Sequence, residues 1–378
     1  MSRGTVMVIV WALVCLPWSY GVRAIATPST ATAIAETNPS PTTFRVSETT
    51  ETPLNRQVPP PFPSFNSRVL DQQLQRYRAY VQSIGVPDVL IVGSSRAIQG
   101  VDPIALQIQL QRQGHKQRRI YNFGINGATA QVVELLLREI LPPEQLPRLV
   151  VWADGSRAFN SGRLDRTYQA IRQSPGYTHL RSGHYPTRFS PAPTWASLYT
   201  ACRDALTAPD QPEPSAPACP SDRVQIAQSP RPLVALVGDQ RVASGFAVVS
   251  DRFVPATYYQ RFPRIAGAYD GDYQRFSLQG LQTEAAIRVV YFLRSRGIPL
   301  IMVNLPLTNE HLDAVRQQRE AEFRAHMLRL AIDHGFWFRN LDRDALRQPQ
   351  NFADPSHLNQ LGAALVAEHL ARDTTIPW

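Results

Sequence analysis

Cysteine is scarce in this chain, and its scarcity narrows the chemistry. Three cysteines among 378 residues are too few for a disulfide scaffold or an all-cysteine zinc site. Cys15 falls inside an apolar N-terminal run, so Cys202 and Cys219 are the one pair in the body of the chain. In an exported protein they could close a loop across the Pro-rich stretch between them; two unpaired thiols are the equal alternative. None of His179, His184, His311 or His326 has a second ligand at metal spacing, so no metal is expected. The Asp and Glu residues lack the pairing that would recommend a glycosidase. No glycine run has the spacing of a dinucleotide loop or the lysine of a P-loop, and no cofactor is expected. There is no internal repeat. A basic stripe interleaved with aromatics is missing too: the formal charge of +9 is scattered, with short groups such as Lys116, Arg118 and Arg119. That pattern argues against a nucleic-acid partner.

Proline is abundant instead, with 32 residues against a usual ~5%, which implies extended linkers or long loops. One positive charge, an apolar stretch from Val6 to about Tyr20, and small residues at Ala24 and Ala26 read as a signal peptide over residues 1–26, cleaved after Ala26. An uncleaved anchor, holding the protein close to a membrane, is the alternative. Residues 27–63 are dominated by Thr, Ser, Pro, Ala and Glu with no apolar period. They read as a disordered tether, because such a segment buries too little surface to offset its ordering entropy. The expected location is extracytoplasmic, periplasmic or secreted.

From residue 64 to 378 the texture is that of one α/β domain. Leu70, Leu74, Tyr77 and Tyr80 recur at helical spacing. A short apolar strand, Val89 to Val92, is followed by a helix over Pro103 to Arg112 and a strand at Ile120 to Phe123. A helix from Ala130 to Leu141 and a strand at Leu149 to Trp152 come next. After an irregular insertion at about 165–280, broken by proline and glycine apart from a strand expected at Leu233 to Val237, regularity returns. A helix is expected from Thr283 to Arg296, a strand from Pro299 to Asn304, and helices over Ala314 to His334 and Gln360 to Ala371. Strands alternating with helices predict βαβ units on a parallel sheet.

Three short segments carry chemistry. Gly93-Ser94-Ser95-Arg96 follows an apolar strand, at the sheet edge where loops converge and helix N–H groups are free. Asp354-Pro355-Ser356-His357 precedes the last helix and offers the carboxylate-oriented imidazole that a serine nucleophile needs. Asn122-Phe123-Gly124-Ile125-Asn126-Gly127 follows another strand, and the Gly127 N–H could face an oxyanion. Singly, the first reads more readily as a helix cap made by a serine, and the second equally well as a cap made by Asp354 or Asn359.

Taken in order, Gly-Ser-Ser-Arg, Asn-x-Gly-x-x-Gly-x-Thr and Asp-x-x-His resemble the blocks of the SGNH (GDSL-like) hydrolase superfamily, over residues 88–160 and 283–372. With serine in place of the family's aspartate at Ser94, the chain looks like the divergent branch found in envelope-polysaccharide O-acetylation proteins and their relatives. The resemblance implies a three-layer α/β/α sandwich of flavodoxin-like type. It implies Ser95 as nucleophile, His357 as base and Asp354 as its orienting acid, with the N–H groups of Ser95 and Gly127 holding the oxyanion.

The third block departs from the family. Where an asparagine side chain is expected to complete the oxyanion hole, the sequence reads Trp152-Ala153-Asp154-Gly155-Ser156-Arg157, with Asn160 farther on. Ser156 or Arg157 falls closest to that position, and Ser156 is the expected oxyanion donor. Arg96, Asn126 and Arg157 are expected to bind substrate, the two arginines on a carboxylate of an acidic sugar, although pairing with Asp102 or Asp154 is the plainer use of both. The resemblance implies a serine esterase or O-acyltransferase acting on an acylated carbohydrate or small ester. Losing one oxyanion donor costs ~10²–10³ in rate, so the alternative is an inactive member serving as a carbohydrate-binding or envelope-assembly protein.

Overall fold

The computed structural model describes residues 62–188 and 240–378. The N-terminal segment, all three cysteines, nearly all of the tract 27–63 and the strand expected at Leu233 to Val237 lie outside the described residues. No helix among the described residues is long and apolar enough to cross a membrane.

Five parallel strands form one sheet in the order β2-β1-β3-β4-β5: β1 Val89–Gly93, β2 Ile120–Gly124, β3 Leu149–Asp154, β4 Leu300–Asn304 and β5 Trp337–Asn340. Every residue of β1 to β4 is buried, which is why these strands read as continuous apolar runs rather than alternating ones. The alternation is present but points into two cores. Leu90, Val92, Val150, Trp152 and Met302 face one side, where they meet α1 (Arg68–Ser83), α4 (Ala130–Leu135), α8 (Leu281–Arg294) and α9 (Ala314–His334). Val89, Ile91, Val151, Ala153 and Ile301 face the other, against α3 (Pro103–Arg112) and α10 (Gln360–Ala371). The architecture is thus a three-layer α/β/α sandwich. Truncating one of these core leucines, such as Leu90, to alanine costs about 2–5 kcal/mol.

Several elements depart from expectation. The helix from Ala130 widens after one and a half turns into a π-helical stretch, Leu136–Ile140. A fifth strand, β5, was not anticipated. The described part of the 165–280 insertion contains α5 (Arg166–Arg172), α6 (Pro175–Arg181) and α7 (Pro255–Arg261). The helix α2, Ser95–Gly100, begins directly after β1, with Ser94 as its cap.

This topology decides where the site lies. β1, β2, β3 and β4 all run the same way, so Ser94–Ser95, Asn126–Gly127, Gly155–Arg157 and Leu305–Thr308 leave the sheet at one edge. In open α/β sheets that carboxyl edge is where ligands bind.

Candidate active site

Serine 95 owes its position to the residue before it. Ser94 caps α2, its Oγ accepting the Arg96 N–H at 3.2 Å and donating to Asp154 Oδ1 at 3.0 Å, while its own N–H donates to Asp154 Oδ2 at 2.9 Å. The capping role therefore falls to Ser94, and the hydroxyl of Ser95 is left for other work. At the far end of the chain the same division occurs. Asn359 caps α10, accepting the N–H groups of Leu361 and Gly362 at 3.0 and 3.1 Å, so Asp354 is not consumed as a cap.

Asp354 and His357 sit on one loop closed at its base by the Ala353 N–H to His357 carbonyl bond, 2.9 Å, and by a bridge between Phe352 and Leu358. Asp354 Oδ1 accepts the N–H groups of Ser356 and His357 at 2.8 and 2.9 Å, and Oδ2 lies 2.7 Å from His357 Nδ1. Burial pushes the Asp354 carboxyl up, but the hydrogen bond and charge of His357 and those two N–H donors outweigh it. The group is held below the usual carboxylate range. With Nδ1–H directed at Asp354, the Nε2 lone pair faces Ser95 Oγ at 2.8 Å. The three side chains form a hydroxyl–imidazole–carboxylate relay of the kind that activates serine nucleophiles.

A pocket of about 190 Å³ opens over the relay, lined by Ser95, His357, Gly127, Arg157, Arg163 and Asp272 among others. Gly127 has φ +73°, and a side chain there would also meet Thr167 Oγ1 at 2.7 Å, so glycine is required on both counts. Among the described residues neither the Ser95 nor the Gly127 N–H donates to a protein acceptor, which leaves both for an oxyanion.

The remaining expected residues fare differently. Ser156 is fully buried and donates to Glu320 Oε1 at 2.5 Å. The 3₁₀ turn Ser156–Phe159 aims it at α9, away from the pocket, while its neighbour Arg157 faces the pocket. Asn160 is turned the other way, donating to the carbonyls of Asp272 and Gln274. Asn126 is exposed and outside the pocket lining.

Arg96 borders the pocket but is 3% exposed, and its Nη2 donates to the carbonyls of Leu305 at 2.6 Å and Pro306 at 3.2 Å. Through Nη2 its guanidinium is a strut between α2 and the loop after β4, while Nε and Nη1 are buried with no partner among the described residues. That loop in turn grips the one that carries Asp354 and His357: the N–H and Oγ of Thr308 both donate to the Pro355 carbonyl, at 3.2 and 2.9 Å. The anticipated arginine pairings also change. Asp102 pairs with Arg241 at 2.7 Å, and Asp154 is occupied by Ser94. Arg157 lies 3.6 Å from Asp272, which Arg163 holds at 2.6 Å.

Arg163 and Asp272 are residues that sequence reasoning missed, and they come together only because the two loops that carry them are stitched to each other. His311 is no rival base. Burial, with Arg157, Arg316 and Arg96 nearby, pushes it down to about 2, so it stays neutral. Among the described residues no three His, Cys, Asp or Glu side chains converge to hold a metal ion. No protein-family model matches the chain, and no curated protein sequence matches it either.

Proposed function

We propose that the chain is an extracytoplasmic serine esterase or O-acyltransferase of the SGNH type, acting on acyl groups of envelope or extracellular polysaccharide. The observation that carries the chemistry is the continuous relay of 2.8 Å from Ser95 Oγ to His357 Nε2 and 2.7 Å from Nδ1 to Asp354. Its parts come from opposite ends of the chain, and a chance meeting of caps would not align all three.

Ser95 Oγ attacks the ester carbonyl while its proton passes to His357 Nε2. Asp354 stabilises the resulting imidazolium through Nδ1–H. The tetrahedral oxyanion is held by the N–H groups of Ser95 and Gly127. Collapse breaks the bond to the alcohol oxygen, which leaves with the proton from His357, and the acyl group stays on Ser95. A water or a sugar hydroxyl then gives its proton to His357 and attacks the acyl carbon, which frees Ser95. Water makes the protein an esterase; a sugar hydroxyl makes it a transferase.

The test is labelling by a fluorophosphonate probe together with turnover of p-nitrophenyl acetate. Both are expected from the unaltered protein and lost in Ser95→Ala and in His357→Ala. Turnover that persists in Ser95→Ala refutes the proposal. One observation favours a second reading, a binding or assembly protein without catalysis: the position of the family's asparagine donor is not filled by Ser156, which faces Glu320. Absence of labelling with an intact fold would establish that reading instead.

A further inference from the structure

Beside the catalytic pocket lies a larger cleft of about 510 Å³, within the ~300–1,000 Å³ range of organic-ligand sites and sharing Gly127, Arg163 and Asp272 with that pocket as common walls. Its charge is lopsided. Across the two cavities the lining carries Arg96, Arg157, Arg163, Arg166 and Arg275 against Asp154 and Asp272. Arg96 is buried with its Nη2 on carbonyls, and Arg157 and Arg163 share Asp272. Arg166 and Arg275 are exposed, and their guanidinium groups make no hydrogen bond or ion pair with any described residue.

The wall that presents these groups is built, not incidental. Asn160 Nδ2 donates to the carbonyls of Asp272 and Gln274, Ser161 N–H donates to the Ser277 carbonyl at 2.7 Å, and Ser277 N–H returns to Asn160 Oδ1 at 2.9 Å. Gly162 lies so close to Arg275 that a Cβ there would be 1.6 Å from the Arg275 carbonyl oxygen. Arg275 itself is held at φ +49°, a left-handed conformation that is strained for a non-glycine residue. The stitching that fixes the loop fixes the arginine with it.

The lining also limits what the ligand can be. Among the described residues Leu164 is the one apolar side chain in the cleft, the rest being Arg, Asp, Gln, Thr and Gly, and no Phe, Tyr or Trp lines either cavity. The aromatic platforms on which successive nucleobases stack are missing from this lining, as is the apolar surface that would bury a long acyl chain. Guanidinium groups with Thr167 and Gln274 suit a ligand that alternates anionic groups with hydroxyls.

We propose that this cleft binds an acidic polysaccharide, its carboxylates on Arg163, Arg166 and Arg275, with one sugar hydroxyl delivered to Ser95 in the adjoining pocket. The delivery step rests on the esterase or acyltransferase reading; the ligand's charge does not.

The experiment uses the full chain carrying Ser95→Ala, so that no turnover consumes the probe, and measures anisotropy of fluorescent polygalacturonate, neutral dextran and a single-stranded oligonucleotide. Polygalacturonate binds, more weakly as salt rises between about 50 and 200 mM, and dextran does not. Adding Arg166→Glu with Arg275→Glu weakens binding at least about tenfold. Adding Arg112→Glu with Arg294→Glu makes the same charge change at helix ends on the opposite edge of the sheet, and shifts binding by less than about twofold. The single change Arg166→Gln, at an exposed side chain, keeps the test open should the double variant misfold: a several-fold loss is expected.

Equal losses in both double variants, equal binding of dextran, or tighter binding of the oligonucleotide would each overturn the proposal. Fluorophosphonate labelling of the unaltered chain separates the two readings. Labelling without polygalacturonate binding overturns this inference alone, whereas binding without labelling overturns the enzymatic reading and with it the delivery of a hydroxyl to Ser95.

Discussion

The two sides of the site are made by different means. One side, Ser94–Ser95 with Asp354–His357, is assembled from short local devices: a strand that stops, a serine that caps, a loop that closes on itself. The other side, where Arg157 and Arg163 meet Asp272, exists only through contacts between residues more than a hundred positions apart. Each half of the first is specified by neighbours along the chain and the two halves are brought together by the sheet, whereas the second is specified by the packing of two irregular loops. Chemistry placed on local devices is held tightly by few residues, and recognition placed on packed loops can vary without disturbing it.

That contrast can be broken or sharpened by substitution. The largest effect is expected for Ser95→Ala or His357→Ala, with kcat on p-nitrophenyl acetate lower by roughly 10⁴-fold or more and the urea midpoint little changed. Asp354→Asn should cost about 10²–10⁴-fold and should also alter the pH dependence of stability. The Asp354 carboxyl has a folded pKa below its unfolded value. Its stabilisation is therefore fully present above the unfolded value of ~3.9 and lost as the pH falls through the folded one. Urea midpoints of the unaltered and Asp354→Asn chains should differ by a constant amount from neutrality to about pH 5 and converge below about pH 4.

Arg96→Met tests the strut. It leaves two buried carbonyls without their donor, at about 1–3 kcal/mol, and loosens the loop that grips Pro355. Both the urea midpoint and kcat should fall, whereas a changed KM at unchanged kcat would restore Arg96 to substrate binding. Ser156→Ala should lower the urea midpoint by the equivalent of about 1–3 kcal/mol, because Glu320 loses a buried donor, with kcat nearly constant. A drop of ~10²–10³ in kcat without a stability change would make Ser156 an oxyanion donor after all. Asn126→Ala should change kcat and KM less than about twofold, the size expected of an exposed polar side chain with no partner among the described residues.

The same contrast explains what could be read in the sequence. The strands β1 to β4 were legible because both faces are buried and the apolar runs are continuous; the relay was legible because its residues adjoin a strand end and a helix start. β5 was not, being a four-residue edge strand, half-buried throughout and only half apolar as Trp337-Phe338-Arg339-Asn340. Ser156 was misplaced by counting along the chain: in a 3₁₀ turn consecutive side chains point about 120° apart, so Arg157 and not Ser156 looks into the pocket. Arg163 and Asp272 left no local signal, since their meeting depends on hydrogen bonds between Asn160–Gly162 and Asp272–Ser277 that no short window contains.

The loop from Phe352 to Asn359 is tied at its base, so acid and base travel as one cassette whose internal geometry survives any movement of the whole. Thr308 is one latch that holds the cassette at its distance from the serine hydroxyl, beside the Phe253 N–H to Phe352 carbonyl bond and the Asn359 amide on the Asp251 carbonyl. Opening that latch would idle the protein without dismantling its sheet. The Thr308 amide, which exchanges with solvent only when the latch opens, should gain protection whenever a ligand holds the cassette shut.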